Sequence, residues 1–411
     1  MENLRNKTVA IVGQGYVGLP LAMAAVTAGW VVLGIDSNLE KVAKLNQGIS
    51  PVEDVDEGEL SRSISTNSYT ATHDFAKVSD AAIVILCVPT PLDENRNPDT
   101  RLLENAAAAV GVNLSSHTLV VSESTSYPGT LTNLIIPTIE GLLAPGVSKI
   151  KYAVAPERVN PGDQLWNQSN TPRLIGAADQ DARILAEEFY GSVCHEVIFV
   201  EKPEIAEAAK LLENTFRLVN IGLANEFARI CRAGGIDVHQ VISAASTKPY
   251  GFMPFYPGVG VGGHCIPVDP RYLSWWAQQN GEVAKIVEIS DIVNLETPKR
   301  IAAFALTIVE KKSPRILILG VAYKPGVADT RETPVRDLYQ QLKITGAEVR
   351  WHDPLVQTWE GTTGTPLDWD CDLIVIATKQ EMIDFNVVLT SSATILDCTN
   401  SFSGHKNVLS I

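Results

Sequence analysis

The stretch "KTVAIVGQGYVGLPLAMAAVTAGWVVLGID" (residues 7–36) decides the fold of this chain. It opens with a β-branched apolar run that ends at Gly13 and continues as an Ala- and Leu-rich segment that Gly29 ends. A second apolar run then ends at Asp36. This order predicts a strand, a helix and a second strand, which together make a βαβ unit. Such a unit places its two strands parallel in one sheet.

The turn inside this stretch, "GQGYVG", fits the GxGxxG pattern with Gly13, Gly15 and Gly18. That pattern alone is weak, but here it follows a strand and opens a helix, as the dinucleotide fingerprint requires. The glycines allow a tight turn, a close approach to pyrophosphate and close helix packing, and the helix start offers free N–H groups. We predict a cofactor site that includes Tyr16 and Val17. The alternative is a glycine turn without a nucleotide.

The acidic residue that ends the second strand is Asp36. A carboxylate at this point of the fingerprint accepts hydrogen bonds from the adenosine ribose hydroxyls. Its negative charge repels a 2′-phosphate. The sequence therefore favours NAD over NADP.

Further segments carry the same strand and helix patterns along the chain. Apolar strand candidates recur at 81–89, 117–124, 151–158, 314–323, 347–354, 371–378 and 393–400. Near-continuous apolar strands separated by helical stretches indicate parallel sheets that are covered on both faces. Between the two groups of strands, residues 203–233 read as one long helix of about 45 Å. A second helical segment follows at about 282–310.

These patterns predict an α/β protein with two Rossmann-like doubly wound domains joined by a central helical domain. We assign residues 1–198 to a cofactor domain, 199–311 to the helical domain and 312–411 to the second sheet domain. The long helix suits either a domain connector or a dimer interface.

Composition excludes several functional classes. The 411 residues carry a net charge of −14, which argues against a general binder of nucleic acids or membrane surfaces. The six cysteines are scattered without a CxxC pair, so we expect a reducing cytoplasm rather than a disulfide framework. We expect no signal peptide, because a strand pattern begins by about residue 8. The longest apolar run, 81–89, is about half as long as a bilayer requires.

A second glycine-rich stretch, "PGVGVGGHCIPVDP" (257–270), ends in Cys265 and Asp269. Backbone amides clustered around a sulfur lower the pKa of a thiol and favour the thiolate. A thiolate near a nicotinamide is the nucleophile needed to oxidise an aldehyde through a thiohemiacetal and a thioester. Zinc is the rival interpretation, since His264 precedes Cys265 and His195 follows a cysteine. No four-ligand spacing supports zinc, so we predict no metal.

The long helix places Lys210 and Asn214 at positions i and i+4, with Glu207 one turn earlier. These positions share one face of a helix. A Lys–Asn pair beside a cysteine loop suits the stabilisation of an alkoxide or oxyanion. The alternative is a solvated helix face.

Taken in order, several motifs make this chain resemble the UDP-glucose/GDP-mannose dehydrogenase family over nearly its whole length. They are "GQGYVG" with Asp36, "CVPTP" (87–91), "SESTSYPGT" (122–130), "APERVNPG" (155–162), "EAAKLLEN" (207–214), "PGVGVGGHCIPVDP" and "GVAYKPGVADTRETP" (320–334). Enzymes of this family oxidise the C6 alcohol of a nucleotide sugar to a uronic acid and use two NAD per turnover.

The resemblance implies roles for the catalytic residues. Cys265 resembles the nucleophile that forms the thioester, and Lys210 and Asn214 resemble the pair that stabilises oxyanions at C6. Asp269 resembles the partner in base and water chemistry. Glu157 resembles the acid that positions the hydrolytic water.

The resemblance also implies ligand contacts. Thr125 resembles a residue that positions water beside the nicotinamide, while Pro89 and Thr90 resemble the turn at the cofactor. Lys324 is expected to meet the UDP phosphates and Arg331 to reach the NAD site. The full set of implied substrate contacts is Glu157, Arg158, Lys210, Asn214, Tyr256, Gly258, Gly262 and Lys324.

Details of the motifs indicate the branch that acts on UDP-N-acetylhexosamines. The UDP-glucose branch usually carries Ser before its cysteine and Phe after it, whereas this chain has His264 and Ile266. Many relatives carry an arginine after a C-terminal strand-ending Asp, but here Asp397 opens "DCTN". The segment 247–258 also lacks the arginine that the UDP-glucose branch donates across its dimer.

We therefore predict an NAD-dependent UDP-N-acetylhexosamine 6-dehydrogenase, cytoplasmic and homodimeric through the central helix. The main alternative is a UDP-glucose 6-dehydrogenase. A single-step alcohol dehydrogenase and a non-catalytic sensor of NAD or a nucleotide sugar are the other hypotheses.

Overall fold

The computed structural model of the chain describes residues 6–52, 54–159 and 165–411. The chain divides into two compact units, Met1–Glu213 and Asn214–Ile411. The long helix α7 (Pro203–Ala233) contributes residues to both units. The division into three domains that we expect from the sequence stays a prediction.

The described part of the first unit is built on one sheet. Its strands are β1 (Thr8–Val12), β2 (Val31–Ile35), β3 (Tyr69–Thr72), β4 (Ile83–Leu86), β5 (Leu119–Ser122), β6 (Lys151–Val154), β7 (Arg173–Ala177) and β8 (Val197–Val200). Their order in the sheet is β3-β2-β1-β4-β5-β6-β7-β8. The first six of these neighbours follow the 3-2-1-4-5-6 order of a doubly wound fold.

One pair in this sheet differs from the parallel sheet that the sequence predicted. β6 and β7 are antiparallel, with Ala153 opposite Ala177. The described residues of the connection between them contain no helix. A parallel crossover needs a long connection, usually a helix, whereas an antiparallel neighbour does not.

Helices cover this sheet. They are α1 (Gly18–Thr27), α2 (Leu39–Asn46), α3 (Glu57–Ser65), α4 (Arg101–Asn113), α5 (Ile136–Glu140) and α6 (Gln180–Val193). A 3₁₀ turn spans Phe75–Asp80, and a π-helical turn, Leu131–Ile135, leads directly into α5. Alternate strand residues face opposite layers: Val9 and Ile11 pack with α1 and α6, while Ala10 and Val12 pack with α4 and α5. Burial on both faces explains the uninterrupted apolar strands.

The second unit repeats this design around a smaller sheet. Its strands are β9 (Arg315–Leu319), β10 (Glu348–His352), a small hairpin of β11 (Thr358–Trp359) and β12 (Thr362–Thr363), β13 (Leu373–Ile376), β14 (Thr394–Asp397) and β15 (Val408–Ser410). The main sheet is parallel in the order β10-β9-β13-β14-β15. The helices are α7, α8 (Val238–Ser246), α9 (Asp269–Gln279), α10 (Lys285–Ile308), α11 (Val335–Ile344) and α12 (Phe385–Thr390).

The long helix predicted at 203–233 has those bounds in the structure, Pro203–Ala233. Proline is favoured in the first turn, where its missing N–H costs no intrahelical bond. The helix ends before Gly235, whose φ of +68° suits glycine and stops the helix. The segment predicted at 282–310 forms α10 and continues through Pro298.

Each sheet has a point where the strand order reverses, and ligands of doubly wound folds bind there, outside the carboxyl ends of the strands. In the first unit this point lies between β1 and β4. In the second unit it lies between β9 and β13. The predicted cofactor turn and the segment that carries Lys324 follow β1 and β9 respectively.

Candidate active site

The glycine turn after β1 is shaped by close backbone contacts. Gly13 has a φ of +97°, and a Cβ there would lie 2.3 Å from the carbonyl oxygen of Cys87, just after β4. A Cβ at Gly18 would lie 1.9 Å from the Gly13 oxygen. No heavy atom of the described residues lies within 4 Å of a Cβ built on Gly15. The turn is therefore closed on the protein side and open at Gly15, which fits a pyrophosphate there.

The Asp36 carboxylate stands beside this turn. Its Oδ2 accepts the Gln14 amide at 3.0 Å and Lys41 Nζ at 2.7 Å, and its Oδ1 accepts the Asn38 amide at 3.0 Å. A carboxylate has about four acceptor sites, so the arrangement fits a further bond from a ribose hydroxyl. Sequence reasoning missed Lys41, which partly balances the charge of Asp36. Its position in the first turn of α2 was the available signal.

Three other predicted residues follow neighbouring strands at the same sheet edge. Pro89 and Thr90 come after β4, and half-buried Thr125 comes after β5. Ser124 ties the two segments together, because its Oγ donates to the Val88 oxygen at 2.8 Å and accepts the Val88 amide at 3.0 Å. The segments that follow β4 and β5 are therefore tied together at this edge of the first sheet.

Glu157 and Arg158 follow β6. Glu157 Oε1 accepts the Val159 amide at 2.5 Å. The Arg158 guanidinium pairs with Glu213 on α7 at 2.7 Å and donates to the Pro172 oxygen at 2.9 Å. The rest of the predicted motif, residues 160–162, lies outside the described residues. A substrate contact by Arg158 stays a prediction.

A buried ion pair, which the sequence did not reveal, lies beneath this edge. The Arg173 guanidinium pairs with Glu123 at 3.3 Å, and both side chains are at most 3% exposed. The Tyr190 hydroxyl donates to the other Glu123 oxygen at 2.6 Å. Burial raises the pKa of Glu123, and the neighbouring guanidinium opposes that shift. Because an arginine stays charged, this pair is an anion and a cation held away from water.

The long helix meets the loop after Thr125 through Glu207. The Glu207 carboxylate accepts the amides of Gly129 at 2.6 Å and Leu131 at 3.0 Å, and the residue is 4% exposed. Burial raises the pKa of Glu207 to about 7, against the lowering effect of these amides. Lys210 lies one turn further along α7 and is also buried.

In the second unit, Asn214 and Asp269 are in direct contact. Asn214 Nδ2 donates to Asp269 Oδ2 at 2.5 Å, and both residues are at most 5% exposed. Asp269 begins α9, and its amide donates to the carbonyl oxygen of Cys265 at 2.9 Å. The predicted nucleophile and the predicted proton partner thus lie one helical turn apart. The contact confirms neither role.

Cys265 differs from the other cysteines in exposure. All six lie in the described residues as free thiols, and Cys265 is exposed while the other five are buried. Burial raises the pKa of four of those thiols, those of Cys87, Cys194, Cys371 and Cys398. Cys265 lies four residues before α9 begins, and its carbonyl oxygen accepts the Asp269 amide.

The glycines before Cys265 are required by a neighbouring aromatic ring. Gly263 has a φ of +83°, and a Cβ there would lie 2.8 Å from the Tyr323 ring. A Cβ at Gly262 would lie 2.8 Å from both Tyr323 and Pro334. The loop therefore packs its backbone against the segment after β9, and this close approach requires glycine.

That segment carries Lys324 and Arg331. Lys324 Nζ lies 5.8 Å from the centre of the Tyr323 ring. The Arg331 guanidinium binds Asp329 through two contacts, at 2.6 and 2.9 Å. Burial raises the pKa of Asp329, but the hydrogen bonds from Arg331 outweigh it and hold the pKa below its ordinary value. The expected contact of Arg331 with NAD stays a prediction.

The remaining predicted substrate residues lie before the glycine loop. The exposed ring of Tyr256 stacks on His239, with centroids 6.2 Å apart and planes at 10°. The Gly258 amide donates to Asn225 Oδ1 at 2.9 Å. At the end of β14, Asp397 accepts hydrogen bonds from the amides of Thr399 and Phe402 at 2.8 and 2.9 Å, and its charge acts on His239. Asp397 therefore organises the loop that follows β14.

The described residues contain neither a cluster suited to a metal ion nor a helix suited to cross a membrane. Across 6–52, 54–159 and 165–411, no group of three or more His, Cys, Asp or Glu side chains is arranged to hold a metal ion. In the same residues, no helix combines the length and the apolar character that crossing a bilayer requires.

Three domain models of one family match the chain in order. They are the NAD binding domain over residues 7–194, the central domain over 204–296 and the UDP binding domain over 317–403 of the UDP-glucose/GDP-mannose dehydrogenase family. The first of these matches identifies NAD as the cofactor.

Relatives that are similar over most of the chain are named as UDP-sugar dehydrogenases. A UDP-N-acetyl-D-mannosamine dehydrogenase of Pyrococcus horikoshii is 34% identical over 378 residues, covering 90% of this chain and 88% of the relative. A UDP-N-acetyl-D-glucosamine 6-dehydrogenase of Pseudomonas aeruginosa is 33% identical over 391 residues, covering 91% and 90%. The solved structure of a UDP-glucose dehydrogenase from Pyrobaculum islandicum has a TM-score of 0.87 at 26% identity, covering 97% and 95%. The chain is thus an NAD-dependent oxidoreductase that belongs to the UDP-glucose/GDP-mannose dehydrogenase family.

Proposed function

We propose that this enzyme oxidises the C6 alcohol of a UDP-N-acetylhexosamine to the uronic acid through a covalent intermediate on Cys265. The observation that carries the proposal is the exposed thiol of Cys265, four residues before α9 begins, in a chain whose other five thiols are buried. The relatives from Pyrococcus and Pseudomonas, named for N-acetylmannosamine and N-acetylglucosamine, support the class of sugar.

Two oxidations and one hydrolysis balance the reaction. NAD accepts the hydride in each oxidation. The first oxidation yields the C6 aldehyde, which the Cys265 thiolate attacks to form a thiohemiacetal, and the second leaves a thioester. Water then attacks the thioester carbonyl, the C–S bond breaks and the thiol is restored. One alcohol, two NAD and one water thus give one uronate, two NADH and three protons.

The other proposed catalytic residues act on charge and water. Lys210 and Asn214 stabilise the alkoxide and the tetrahedral oxyanions at C6. The bond from Asn214 Nδ2 to Asp269 supports this role, because it leaves the second N–H of the amide group for the oxyanion. Glu157 and Thr125 position the hydrolytic water.

We place the nucleotide part of the substrate at the reversal point of the second sheet. Lys324 lies in the segment after β9, where doubly wound folds bind ligands, and it would bind the diphosphate. Tyr256, Gly258 and Gly262 would contact the sugar from the loop that carries Cys265.

UDP-glucose is the second candidate substrate, and the similarity to the Pyrobaculum enzyme favours it. Against it stand His264 and Ile266 around the cysteine, where the UDP-glucose branch usually has Ser and Phe. A sensor of NAD or nucleotide sugars would bind these ligands without turnover. A single-step alcohol dehydrogenase would release one NADH per sugar.

The test measures NADH released per sugar for UDP-N-acetylmannosamine, UDP-N-acetylglucosamine, UDP-N-acetylgalactosamine and UDP-glucose. We expect two NADH per sugar and a preference for an N-acetylated substrate. The Cys265→Ser variant should form no net uronate, while Cys231→Ser, at a buried thiol, should keep the stoichiometry. Full two-NAD turnover by Cys265→Ser would refute the covalent mechanism, and a clear preference for UDP-glucose would refute the sugar assignment.

We also propose a cytoplasmic homodimer that pairs through α7. Exposed apolar residues recur along one face of this helix: Phe216, Leu223, Phe227 and Ile230, each 38–61% exposed. Large exposed apolar stripes mark association surfaces. Light scattering at micromolar protein should give a dimer, and Leu223→Glu should weaken it. No disulfide joins the six cysteines, all of which lie in the described residues, and this supports a reducing compartment.

A further inference from the structure

Two glutamates of α7 hold the segment that follows Thr125. Glu207 Oε2 accepts the Gly129 amide at 2.6 Å, and its Oε1 accepts the Leu131 amide at 3.0 Å. One turn earlier, Glu204 Oε1 accepts a hydrogen bond from the Thr132 hydroxyl at 3.1 Å. The Glu207 contact is buried, whereas Glu204 is half-buried. The Glu207 carboxylate therefore binds backbone amides, whereas the Glu204 carboxylate binds a side-chain hydroxyl.

The amides that Glu207 binds lie at a helix start. The first N–H groups of a helix have no intrahelical partner, and the positive end of its dipole attracts an anion. Here the π-helical turn Leu131–Ile135 runs into α5, so Glu207 caps a helical segment from a distant part of the chain. Both carboxylate oxygens accept a bond. A glutamine offers one acceptor and would turn its NH₂ group toward an N–H.

The capping helix carries one proposed catalytic residue of the first unit, and another lies just before the capped segment. Lys210 lies three residues after Glu207 on α7, and Thr125 lies four residues before Gly129. We propose that Glu207 is a positioning residue that holds the Thr125 loop and the Lys210 turn in register. This inference rests on the proposed function, from which the roles of Lys210 and Thr125 come.

Protonation of Glu207 should weaken this hold. Burial raises its pKa to about 7, so its charge changes within the ordinary assay range. A protonated carboxyl has one fewer acceptor oxygen to offer the amides. The titratable groups that interact with it are Glu204 on α7, whose charge acts on Glu207, and Tyr127 in the loop, on which both Glu207 and Glu104 of α4 act. We therefore expect kcat to rise with pH through this range.

The experiment compares Glu207→Gln with the matched control Glu204→Gln and the conservative Glu207→Asp. We expect Glu207→Gln to lower kcat about tenfold to a hundredfold, with KM for the UDP-sugar within about twofold, as for a misplaced reacting group. Its kcat should also lose the rise near pH 7. Glu204→Gln should stay within about threefold of wild type, and Glu207→Asp should recover part of the loss. Urea unfolding of each variant separates these effects from a general loss of folding.

Amide hydrogen exchange gives a readout that does not depend on turnover. In Glu207→Gln the Gly129 and Leu131 amides should exchange about tenfold or more faster, with the strands of the sheet unchanged. Unchanged exchange at these amides, or a folded Glu207→Gln that keeps wild-type kcat and pH profile, would overturn the positioning role. If the wild-type enzyme turned over no UDP-sugar, the proposed function would be refuted instead. Hydrogen exchange would still test whether Glu207 holds the Gly129 and Leu131 amides.

Discussion

The buried pair of Glu123 and Arg173 makes a strong prediction about stability. Their charged atoms are 3.3 Å apart, and the two side chains are 0% and 3% exposed. Glu123 directly follows β5 and Arg173 begins β7, so the pair links strands on either side of β6. Glu123→Gln keeps the size of the side chain and an acceptor for Tyr190. It removes only the negative charge.

The expected cost follows from that geometry. At 3.3 Å and an effective dielectric constant of about 20, the attraction is about 5 kcal/mol. Mutations that leave a buried partner charge unpaired cost about 3–5 kcal/mol. Without the Glu123 charge, Arg173 keeps a carbonyl contact at 3.4 Å to Ala155, the Tyr190 ring at 5.5 Å and a hydrogen bond with Cys194, and none of these groups offers a paired carboxylate. We expect Glu123→Gln to lower the free energy of unfolding by about 3–5 kcal/mol.

Urea unfolding followed by circular dichroism measures this change. With an m-value of about 2.5 kcal/mol/M, the midpoint should fall by roughly 1–2 M. The matched control is Tyr190→Phe, which removes one hydrogen bond of 2.6 Å to Glu123 and should cost about 1–2 kcal/mol. The double variant Glu123→Gln/Arg173→Met should recover most of the loss, because no unpaired charge remains.

The reasoning fails if Glu123→Gln unfolds within about 1 kcal/mol of wild type, a cost no larger than that of an ordinary hydrogen bond. It also fails if Arg173→Met lowers the free energy of unfolding of Glu123→Gln further, as an independent destabilising mutation would. Either result would mean that water or another anion compensates Arg173.

Three further predictions concern other sites. Gly263→Ala puts a Cβ at a φ of +83° and 2.8 Å from the Tyr323 ring, so the unfolding free energy should fall by about 1–3 kcal/mol, and an unchanged thermal midpoint would contradict this. The pKa of Glu207 rises from 4.5 unfolded to about 7 folded, so its contribution to stability is complete below about pH 4.5 and is lost as the pH rises through 7. The free energy of unfolding of wild type, measured by urea titration, should therefore fall between pH 5 and 8 by up to about 3 kcal/mol, and that of Glu207→Gln should change less. Asp269→Asn removes the charge that the Asn214 amide binds at 2.5 Å, so uronate formation should slow about tenfold or more, and a wild-type rate would exclude this pair from the chemistry.

The sequence by itself determined the features that depend on neighbours along the chain. The cofactor turn from Gly13 to Gly18, the bounds of α7 and the loop that ends at Cys265 were all predictable. Each depends on local chemistry: glycine tolerates a positive φ, proline starts a helix without losing a bond, and buried strands are apolar throughout. The order of motifs also identified the family before any coordinate was known.

Tertiary structure alone decided which distant side chains meet. Arg173 pairs with Glu123, 50 residues away, and Glu207 binds amides 76 and 78 residues away. No local pattern distinguishes these glutamates from solvated ones, because burial and partner are set by how strands and helices pack. The antiparallel β7 illustrates the same limit, since strand direction depends on the path of the connection and not on the composition of the strand.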